Sequence, residues 1–218
     1  MEGYTVHTIE RKDAIPWIMK KHYAKRMPTI SKCFGIFENN LIFGVCTFGV
    51  PATPYVGKSI IGQDKAYLVL ELNRLCIEDS APKNTASFFI SQCIKQIEKP
   101  KIIVSYADSG QNHVGYIYQA TNFFYTGLSD KHRFWHSENI NKHCRTIGNE
   151  VRKGLNKYND IEFKEYDRKH RYLYFHASKK DKKNLLSELK QKILPYPKGE
   201  SKRYDASEEF PKQVQMFG

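Results

Sequence analysis

The sequence predicts a single α/β domain in which helices flank a mixed central sheet. Short runs rich in β-branched and aromatic residues alternate with segments whose apolar residues recur at helical spacing. This strand–helix–strand order implies parallel neighbouring strands joined by right-handed crossovers. The chain has 218 residues, of which 40% are hydrophobic and 27% charged. That composition is sufficient for one globular core.

The amino-terminal part predicts one helix and a hairpin. The segment AIPWIMKKHYAKRMP should be helical and end before Pro28, since the residue that precedes a proline disfavours the helical backbone. KCFGIFENNLIFGVCTFGVP predicts two strands joined at Glu38-Asn39-Asn40, because asparagine tolerates the backbone of a tight turn. Residues 52–65 contain Gly and Pro and predict an irregular loop.

The remainder of the chain alternates strands and helices. AYLVLELNRLCI predicts a strand with Glu71 and Asn73 on one face. KNTASFFISQCIKQIE predicts a helix, KIIVSYA a buried strand that leads to Asp108, and NHVGYIYQAT a short helix. FFYTGL and HRYLYFHA predict further strands. KKNLLSELKQKI predicts a last helix that ends before Pro195.

Charge is the most distinctive bulk property. The chain carries 35 Lys and Arg against 23 Asp and Glu, a net charge of +12. Basic residues interleaved with Tyr and Phe in residues 164–203 suit a phosphate backbone, although a solvated helix face would look similar. We expect residues 1–178 to form a catalytic domain. We expect residues 179–218 to form a basic helix and an extended tail packed on it, docked through Phe210 and Phe217.

Two classes of protein are not expected from the composition. No run of about 18 apolar residues suggests a membrane span. The amino terminus is charged and does not resemble a signal peptide. The cysteines are odd in number, scattered and free of CxxC spacing, which favours reduced thiols and a cytoplasmic location. They are Cys33, Cys46, Cys76, Cys93 and Cys144.

The order of elements resembles the Gcn5-related N-acetyltransferase (GNAT) fold. LNRLCI followed by a loop and a helix matches the place where that fold holds the pyrophosphate of its donor. YQATNFFYTG resembles its Tyr-x-x-x-Gly-Phe ending, with Asn122 in the place of the glycine. The loop EDSAPKNTAS contains no glycine, which argues against acetyl-coenzyme A as the donor. Lys83, Asn84, Thr85 and Ser87 could still hold one anion.

Four segments together resemble the Mom family of bacteriophage DNA-modification proteins. They are HYAKRMP, ELNRLCI, YADSGQNHVGYIYQATNFFYTG, and KHRYLYF with LPYPKG. The resemblance runs from about Trp17 to Gly199. The resemblance implies a GNAT-like enzyme acting in the host bacterial cell. It would convert adenine in double-stranded DNA to N6-carbamoylmethyladenine, which protects phage DNA from restriction. It also implies a link to iron.

The central motif supplies the expected catalytic residues. Asp108 ends a strand, where α/β folds bind ligands, and would act as general base or orient the substrate; an N-cap or Asx turn is the alternative. Tyr118 precedes Phe123 by five residues, where GNAT enzymes keep a proton-donating tyrosine, but it could equally be a packing residue. His22 and Tyr23 could serve as base, metal ligand or stacking platform.

Further residues are expected around the acceptor. Glu71 is either a second base or an edge charge, and Asn73 lies beside it near the expected acceptor channel. Ser87 and Asn112 are expected to contact donor or substrate. DKHRFWHSEN predicts a DNA-facing loop, or a metal site from His132 and His136 at helical spacing. The expected DNA contacts are Arg26, Lys131, Arg133, Trp135, Lys179, Lys180, Lys182 and Lys183.

The donor and the oligomeric state stay open. A glycyl group on adenine N6 (N–CO–CH2–NH2) is an isomer of carbamoylmethyl (N–CH2–CO–NH2). An activated glycyl-like donor followed by rearrangement would therefore supply every atom. An acetyl-coenzyme A-dependent N-acetyltransferase and a non-catalytic DNA-binding protein are the alternative functions. A monomer and a homodimer both fit the sequence.

Overall fold

A large mixed sheet organises the computed structural model, which describes residues 3–111, 113–140, 142, 144–154 and 160–199. The strands of the protein are β1 (Tyr4–Thr8), β2 (Lys32–Glu38), β3 (Leu41–Gly49), β4 (Val69–Ile77), β5 (Lys101–Asp108), β6 (Phe124–Leu128), β7 (His132–His136), β8 (Glu162–Tyr166) and β9 (Lys169–His176). Its helices are α1 (Arg11–Pro16), α2 (Pro54–Ile61), α3 (Thr85–Lys95), α4 (Tyr116–Ala120), α5 (Cys144–Arg152) and α6 (Lys179–Ser187). The large sheet has the order β1-β2-β3-β4-β5-β9-β6, and β7 pairs with β8 separately.

One parallel pair interrupts an otherwise antiparallel sheet. Strands β4 and β5 run in parallel and pair only from Val69↔Ile102 to Glu71↔Val104. Both strands continue beyond these partners, β4 to Ile77 and β5 to the tip at Asp108. The two strands therefore diverge near the middle of the sheet. The predicted class, a mixed sheet flanked by helices, is confirmed.

Alternating side chains of the sheet build a core on each face. Leu72 and Ile103 pack with Phe89 beneath α3, in a cluster that α4 completes. Val69 and Ile102 point to the opposite face, which α2 and α6 cover. Helix α1 and the π-helical turn that continues it, Trp17–Lys21, cover the amino-terminal strands with a cluster of their own.

Asparagines adopt a positive φ at two places where the sequence predicted a tight turn or a helix end. Asn39 and Asn40 have φ of 50° and 65° and close the β2–β3 hairpin. Asn122 has φ of 61° just after α4, in the left-handed conformation expected of the residue that replaces glycine. The five cysteines are free and buried.

The prediction of an irregular loop at residues 52–65 was wrong. Helix α2 occupies this segment, with Thr53 extended before it and Pro54 at its start. A proline is favoured at this position because its missing N–H has no partner there anyway. Gly57 belongs to the helix, and a Cβ on it would lie 2.8 Å from the Ala66 carbonyl oxygen. Glycine here thus allows close packing rather than a turn.

The first helix was placed too far along the chain. It begins at Arg11 and its π-helical continuation ends at Lys21, so residues 22–31 are not helical. His22 has an extended backbone, and Lys25 has φ of 37°. Lys21 is buried and forms ion pairs with Glu78 and with a neighbouring aspartate. These long-range contacts end the helix earlier than the proline rule suggests.

Several other elements differ from the prediction. Strands β1, β7 and β8 and helix α5 were not predicted. Helix α6 ends at Ser187, well before Pro195, because the chain then turns onto the sheet. There the Leu194 N–H donates to the Tyr125 carbonyl at 2.9 Å, and the Tyr196 hydroxyl donates to Phe123 O at 2.8 Å.

Some expectations stay untested. The boundary between residues 178 and 179 remains a prediction, and residues 200–218, with Phe210 and Phe217, lie outside the described residues. None of the helices in the described part is long and apolar enough to cross a membrane.

Replacing Gly49 by Ala should destabilise the fold. A Cβ at Gly49 would lie 1.8 Å from the Thr29 carbonyl oxygen, so the segment before β2 would have to move. Overpacking of this kind costs about 1–3 kcal/mol, and we expect a clear loss in thermal melting temperature. Gly148→Ala is the control, because its Cβ would meet nothing nearer than a Trp135 atom at 3.6 Å. Equal melting of the two variants would contradict this account.

Candidate active site

The divergence of β4 and β5 opens a cavity of about 1470 Å³. Its wall is formed by residues 21–26, the start of α2, the outer half of β4, the tip of β5, the start of α4, and the segment around β7 and α5. Pockets for a single small ligand usually measure about 300–1,000 Å³. The cavity is thus large enough for two reactants together.

Tyr118 closes the gap between the diverging strands. The Ser105 hydroxyl on β5 donates to the Leu72 carbonyl on β4 at 3.0 Å, where ladder pairing has ended. Tyr118 is buried behind this bond and lines the cavity. Burial raises the pKa of Tyr118, and a hydrogen bond with Ser105 offsets part of the rise. The phenol therefore keeps its proton at neutral pH, and the ring also packs on Phe123 at 5.4 Å.

Asp108 is held by two partners at the tip of β5. One carboxylate oxygen lies 2.8 Å from the Lys169 ammonium. The other accepts the Gly110 N–H at 3.1 Å, which is the Asx turn considered as an alternative. Burial lowers the pKa of Lys169. The nearby Tyr23 and Asp108 have a larger, opposite effect, so the pKa of Lys169 is raised above its ordinary value. The site thus contains a lysine that stays cationic beside an engaged carboxylate.

Glu71 is the carboxylate whose environment favours proton exchange. It lies on β4 at the last pair before the strands diverge, and its side chain lines the cavity. Burial raises the pKa of Glu71 above its ordinary value. The charge of Arg145 and a hydrogen bond from the Ala52 N–H offset part of this rise. A carboxylate with a raised pKa in a cleft is a candidate general base.

His22 and Tyr23 lie together on the cavity wall. Their rings stack with centroids 4.5 Å apart and planes 29° apart. The Ala24 N–H donates to His22 Nδ1 at 3.0 Å, so in the neutral ring the proton is on Nε2. The pair was predicted from HYAKRMP, and the structure brings it to the same cavity as Glu71 and Asp108.

Arg74 was missed by sequence reasoning. Its guanidinium donates to the Arg26 carbonyl at 2.7 Å and 3.2 Å, and to the Asn73 carbonyl at 2.6 Å. Burial lowers the pKa of Arg74. The signal was an arginine within the apolar run LNRLCI, since a buried charge needs partners or a function. Its contacts position the loop that carries Arg26, which also lines the cavity.

The Asn73 side chain forms hydrogen bonds within the protein on both its oxygen and its nitrogen. Its amide oxygen accepts from the Thr47 hydroxyl at 2.6 Å, and its amide nitrogen donates to the Thr29 carbonyl at 2.8 Å. These bonds tie residues 22–31 to β3 and β4. The predicted contact with substrate would therefore compete with a structural role.

The start of α3 does not fit a coenzyme A pyrophosphate. The Thr85 hydroxyl donates to the Pro82 carbonyl at 2.8 Å, and the Ser87 hydroxyl to the Asn84 carbonyl at 3.0 Å. Ser87, a predicted donor contact, lies outside the cavity wall. Asn84 holds the left-handed conformation before the helix, where a glycine would allow closer approach. Asn112, the other predicted contact on the loop, lies outside the described residues.

The segment predicted as a DNA-facing loop is a strand with two different faces. His132, Phe134 and His136 line the cavity, whereas Arg133 and Trp135 do not. Trp135 packs edge-on against the Phe163 ring with centroids 4.2 Å apart. Two other predicted DNA contacts bind groups of the protein itself. The Lys131 ammonium pairs with the Glu165 carboxylate at 2.8 Å, and the Arg133 guanidinium donates to the Phe163 carbonyl at 3.4 Å.

The proposed helical metal spacing of His132 and His136 was wrong. Residues four apart on a strand are roughly 13 Å apart, too far to share an ion. His136 Nδ1 instead lies 3.0 Å from the Tyr166 hydroxyl. Across the residues that the structure describes, no group of three or more His, Cys, Asp or Glu side chains could hold a metal ion. His132 and His136 therefore do not form a shared metal site on β7.

The predicted basic residues of α6 lie away from the cavity. Lys179, Lys180 and Lys183 are exposed, and Lys182 Nζ lies 5.3 Å from the centroid of the Phe124 ring. Leu185 on the same helix is buried against the sheet. Lysines on one side and a buried leucine on the other fit both a DNA-facing and a solvated helix.

Comparison with known proteins decides the family. The sequence model described as the Mom protein family matches residues 3–198. The chain belongs to the Mom protein family. A relative is the "Methylcarbamoylase mom" of Escherichia phage Mu, which is 30% identical over 196 residues, covering 83% of this chain and 78% of that protein.

Several of the solved structures similar to this Mom family member carry the name acetyltransferase. YncA of Salmonella typhimurium, a putative acetyltransferase with acetyl-CoA, is 11% identical with a TM-score of 0.47, covering 81% of this chain and 96% of that one. NAA60 of Arabidopsis thaliana is 9% identical with a TM-score of 0.48, covering 79% and 97%. The likeness concerns the fold alone.

Glu71→Gln should stabilise the protein at neutral pH. A carboxyl whose pKa is raised on folding contributes stability below its unfolded value and loses it as pH rises through the folded value. The melting temperature of the variant should therefore exceed that of wild type at pH 8, and the gain should vanish below about pH 4.5, the ordinary value for Glu. Glu165→Gln is the control, because a hydrogen bond from Lys131 lowers the pKa of Glu165. A gain at all pH values, or in both variants, would contradict this assignment.

Proposed function

We propose that this protein is a phage DNA-modification transferase. It acts on double-stranded DNA in the cytoplasm of the host bacterium, converts adenine to N6-carbamoylmethyladenine, and so protects the DNA from restriction. The observation that carries the proposal is a single cavity containing Glu71 with a raised pKa and Tyr118 with a retained proton, in a chain of the Mom family. The net charge of +12 supports a polyanionic substrate.

The acceptor must leave the duplex before it can react. The exocyclic amine of adenine is inside the base stack, so the base has to be extruded at a cost of a few kcal/mol. The cavity volume of about 1470 Å³ accommodates the base and an activated donor side by side. The stacked rings of His22 and Tyr23 supply one aromatic surface in its wall.

The chain supplies a proton acceptor, a proton donor and a fixed cation. As N6 attacks the donor carbonyl carbon, Glu71 accepts the proton that N6 loses. The bond to the leaving group breaks, and Tyr118 donates the proton that the leaving group needs. Lys169, held by Asp108 at 2.8 Å, stabilises negative charge that develops on the donor carbonyl oxygen. Asp108 thus acts by orienting Lys169.

The donor that best fits the product is an activated glycyl group. Its transfer gives N6-glycyladenine, and rearrangement to carbamoylmethyl conserves every atom. The start of α3, where Thr85 and Ser87 donate to backbone carbonyls, argues against coenzyme A as carrier. Cells fed with isotope-labelled glycine should yield labelled modified adenine, and its complete absence would exclude the glycyl route.

Nucleoside mass measurement tests the function. DNA from bacteria that express the protein is digested and compared with DNA from cells carrying the empty vector. The proposal predicts deoxyadenosine with the added mass of one carbamoylmethyl group. An acetyl increment would instead indicate an N-acetyltransferase, and unchanged nucleosides would indicate a non-catalytic DNA-binding protein.

Tyr118→Phe should lower the yield of modified adenine by about 10² or more, because general acid–base steps contribute about 10²–10⁴. DNA affinity should remain, since it comes mostly from phosphate contacts. Tyr172→Phe is the control: Tyr172 packs on Tyr118 at 5.3 Å, but its hydroxyl donates to the Val114 carbonyl. The control should lose stability rather than turnover. Full activity of the Tyr118 variant would reduce Tyr118 to a packing residue.

Replacing Lys179, Lys180, Lys182 and Lys183 together by Gln should weaken DNA binding uniformly across sequences. Each lost phosphate contact should reduce the slope of log affinity against log salt by about 0.9. The choice of adenine should not change, because phosphate contacts do not read bases. Binding isotherms over a range of salt concentrations measure the slope. An unchanged slope would place the DNA elsewhere on the surface.

A further inference from the structure

A long insertion separates two strands that could be joined by a short turn. Strands β6 and β9 are antiparallel neighbours, and their pairing ends at Leu128↔His170. The chain between them contains β7, α5 and β8, none of which belongs to the large sheet. The fold of the sheet does not require this segment, which we call the cap (residues 129–168).

The base of the cap is attached to the reaction centre. The Ser129 N–H donates to the Lys169 carbonyl at 2.7 Å, and the Lys169 N–H donates to the Ser129 hydroxyl at 3.0 Å. The Arg168 guanidinium donates to the Ser129 carbonyl at 2.6 Å. Lys169 also pairs with Asp108. The residue that holds the base of the cap is therefore the same lysine that supplies the cation at the reaction centre.

The cap places an aromatic ring in the cavity wall. Phe134 lies on β7 with its side chain half-buried and facing the cavity, and it belongs to none of the core clusters of the described residues. The Tyr166 ring from β8 meets it edge-on at 5.8 Å. The guanidinium of Arg145, on α5, lies 5.7 Å from the Phe134 ring centroid.

The same arginine connects the cap to the candidate base. Burial raises the pKa of Glu71 and that of Tyr106, and the charge of Arg145 offsets part of each rise. Glu71, Tyr106 and Arg145 all line the cavity. The chain after β7 is held by Asp160, which accepts from the Ser137 hydroxyl at 2.7 Å and from the Asn139 amide at 2.9 Å. The cap thus contributes side chains to the cavity wall, and the charge of one of them, Arg145, acts on Glu71.

We propose that the cap captures the extruded nucleobase, with Phe134 as its stacking platform and Arg145 as the cation that orients it. This inference rests on the proposed function and names the part of the cavity that holds the acceptor. Aromatic rings and guanidinium groups can both stack on the π-face of a planar base. A phosphate would not need the ring.

Capture can be measured without the donor. The probes are two DNA duplexes of one sequence, with the central adenine opposite thymine or opposite an abasic site. The unpaired adenine is extruded at lower cost, so a protein that captures the base should bind this duplex more tightly. Fluorescence anisotropy with the full-length protein gives the ratio of the two affinities.

Phe134→Ala should reduce that ratio by about tenfold, since one stacked base is commonly worth this much or more. Affinity for the fully paired duplex should stay within about twofold, because phosphate contacts dominate it. Phe134→Tyr should keep the preference, since it keeps the ring. Phe163→Ala is the matched control: Phe163 lies on β8 of the same cap but is exposed and does not line the cavity.

The outcomes separate this inference from the proposed function. A retained preference in a folded Phe134→Ala variant, or an equal loss in Phe163→Ala, would overturn the role of Phe134. If wild type prefers the unpaired adenine but leaves nucleoside masses unchanged, the transfer fails and base capture stands. If wild type modifies adenine and shows no preference, the capture mechanism fails and the transfer stands. Thermal melting identifies any variant that does not fold.

Discussion

The hydrogen bonding between β4 and β5 ends after Glu71 and Val104, and the site depends on that separation. Two adjacent strands that stop pairing leave polar backbone groups that need other partners. The Ser105 hydroxyl satisfies one of them, the Leu72 carbonyl, across the gap. Tyr118 fills the space behind this bond. The strands can therefore diverge without exposing the core, and the space between them becomes the cavity.

The separation also assigns different environments to the two carboxylates. Asp108, at the end of β5, reaches the Lys169 ammonium and a backbone N–H of its own turn. Glu71, further inside the gap, loses water, which raises its pKa. Acid and base roles in enzymes commonly arise when neighbouring groups have such contrasting surroundings. These surroundings support the proposed roles of Glu71 as proton acceptor and Asp108 as the residue that positions a cation.

The walls of the cavity come from segments far apart in the chain. The loop with His22 and Tyr23 is fixed through Asn73, whose amide bonds Thr29 and Thr47. The cap contributes another part of the wall, and hydrogen bonds between Ser129 and Lys169 hold its base. Neither segment is part of the regular sheet. Each can therefore vary in substrate contacts while the sheet retains its packing.

Several features of the fold were predictable because their causes are local. The β2–β3 hairpin follows from Asn39-Asn40, which adopt positive φ readily, and α3 follows from its apolar spacing. The buried run KIIVSYA predicted β5 and its tip at Asp108. Four segments together indicated the family, and the motif around Tyr118 is the most specific of them.

What only the tertiary structure decided depends on contacts between distant residues. Helix α2, the early end of the first helix, and β7 and β8 are stabilised by partners that local periodicity does not reveal. The sequence could not tell which side of β7 faces the cavity, so it favoured Trp135 over Phe134. It placed Asp108 before Glu71 as the candidate base, because burial of Glu71 cannot be recognised from the sequence. Composition and spacing thus determined the sheet, the family motif and the basic charge, whereas burial and ion pairing, which require the folded chain, distinguish the surroundings of the candidate side chains.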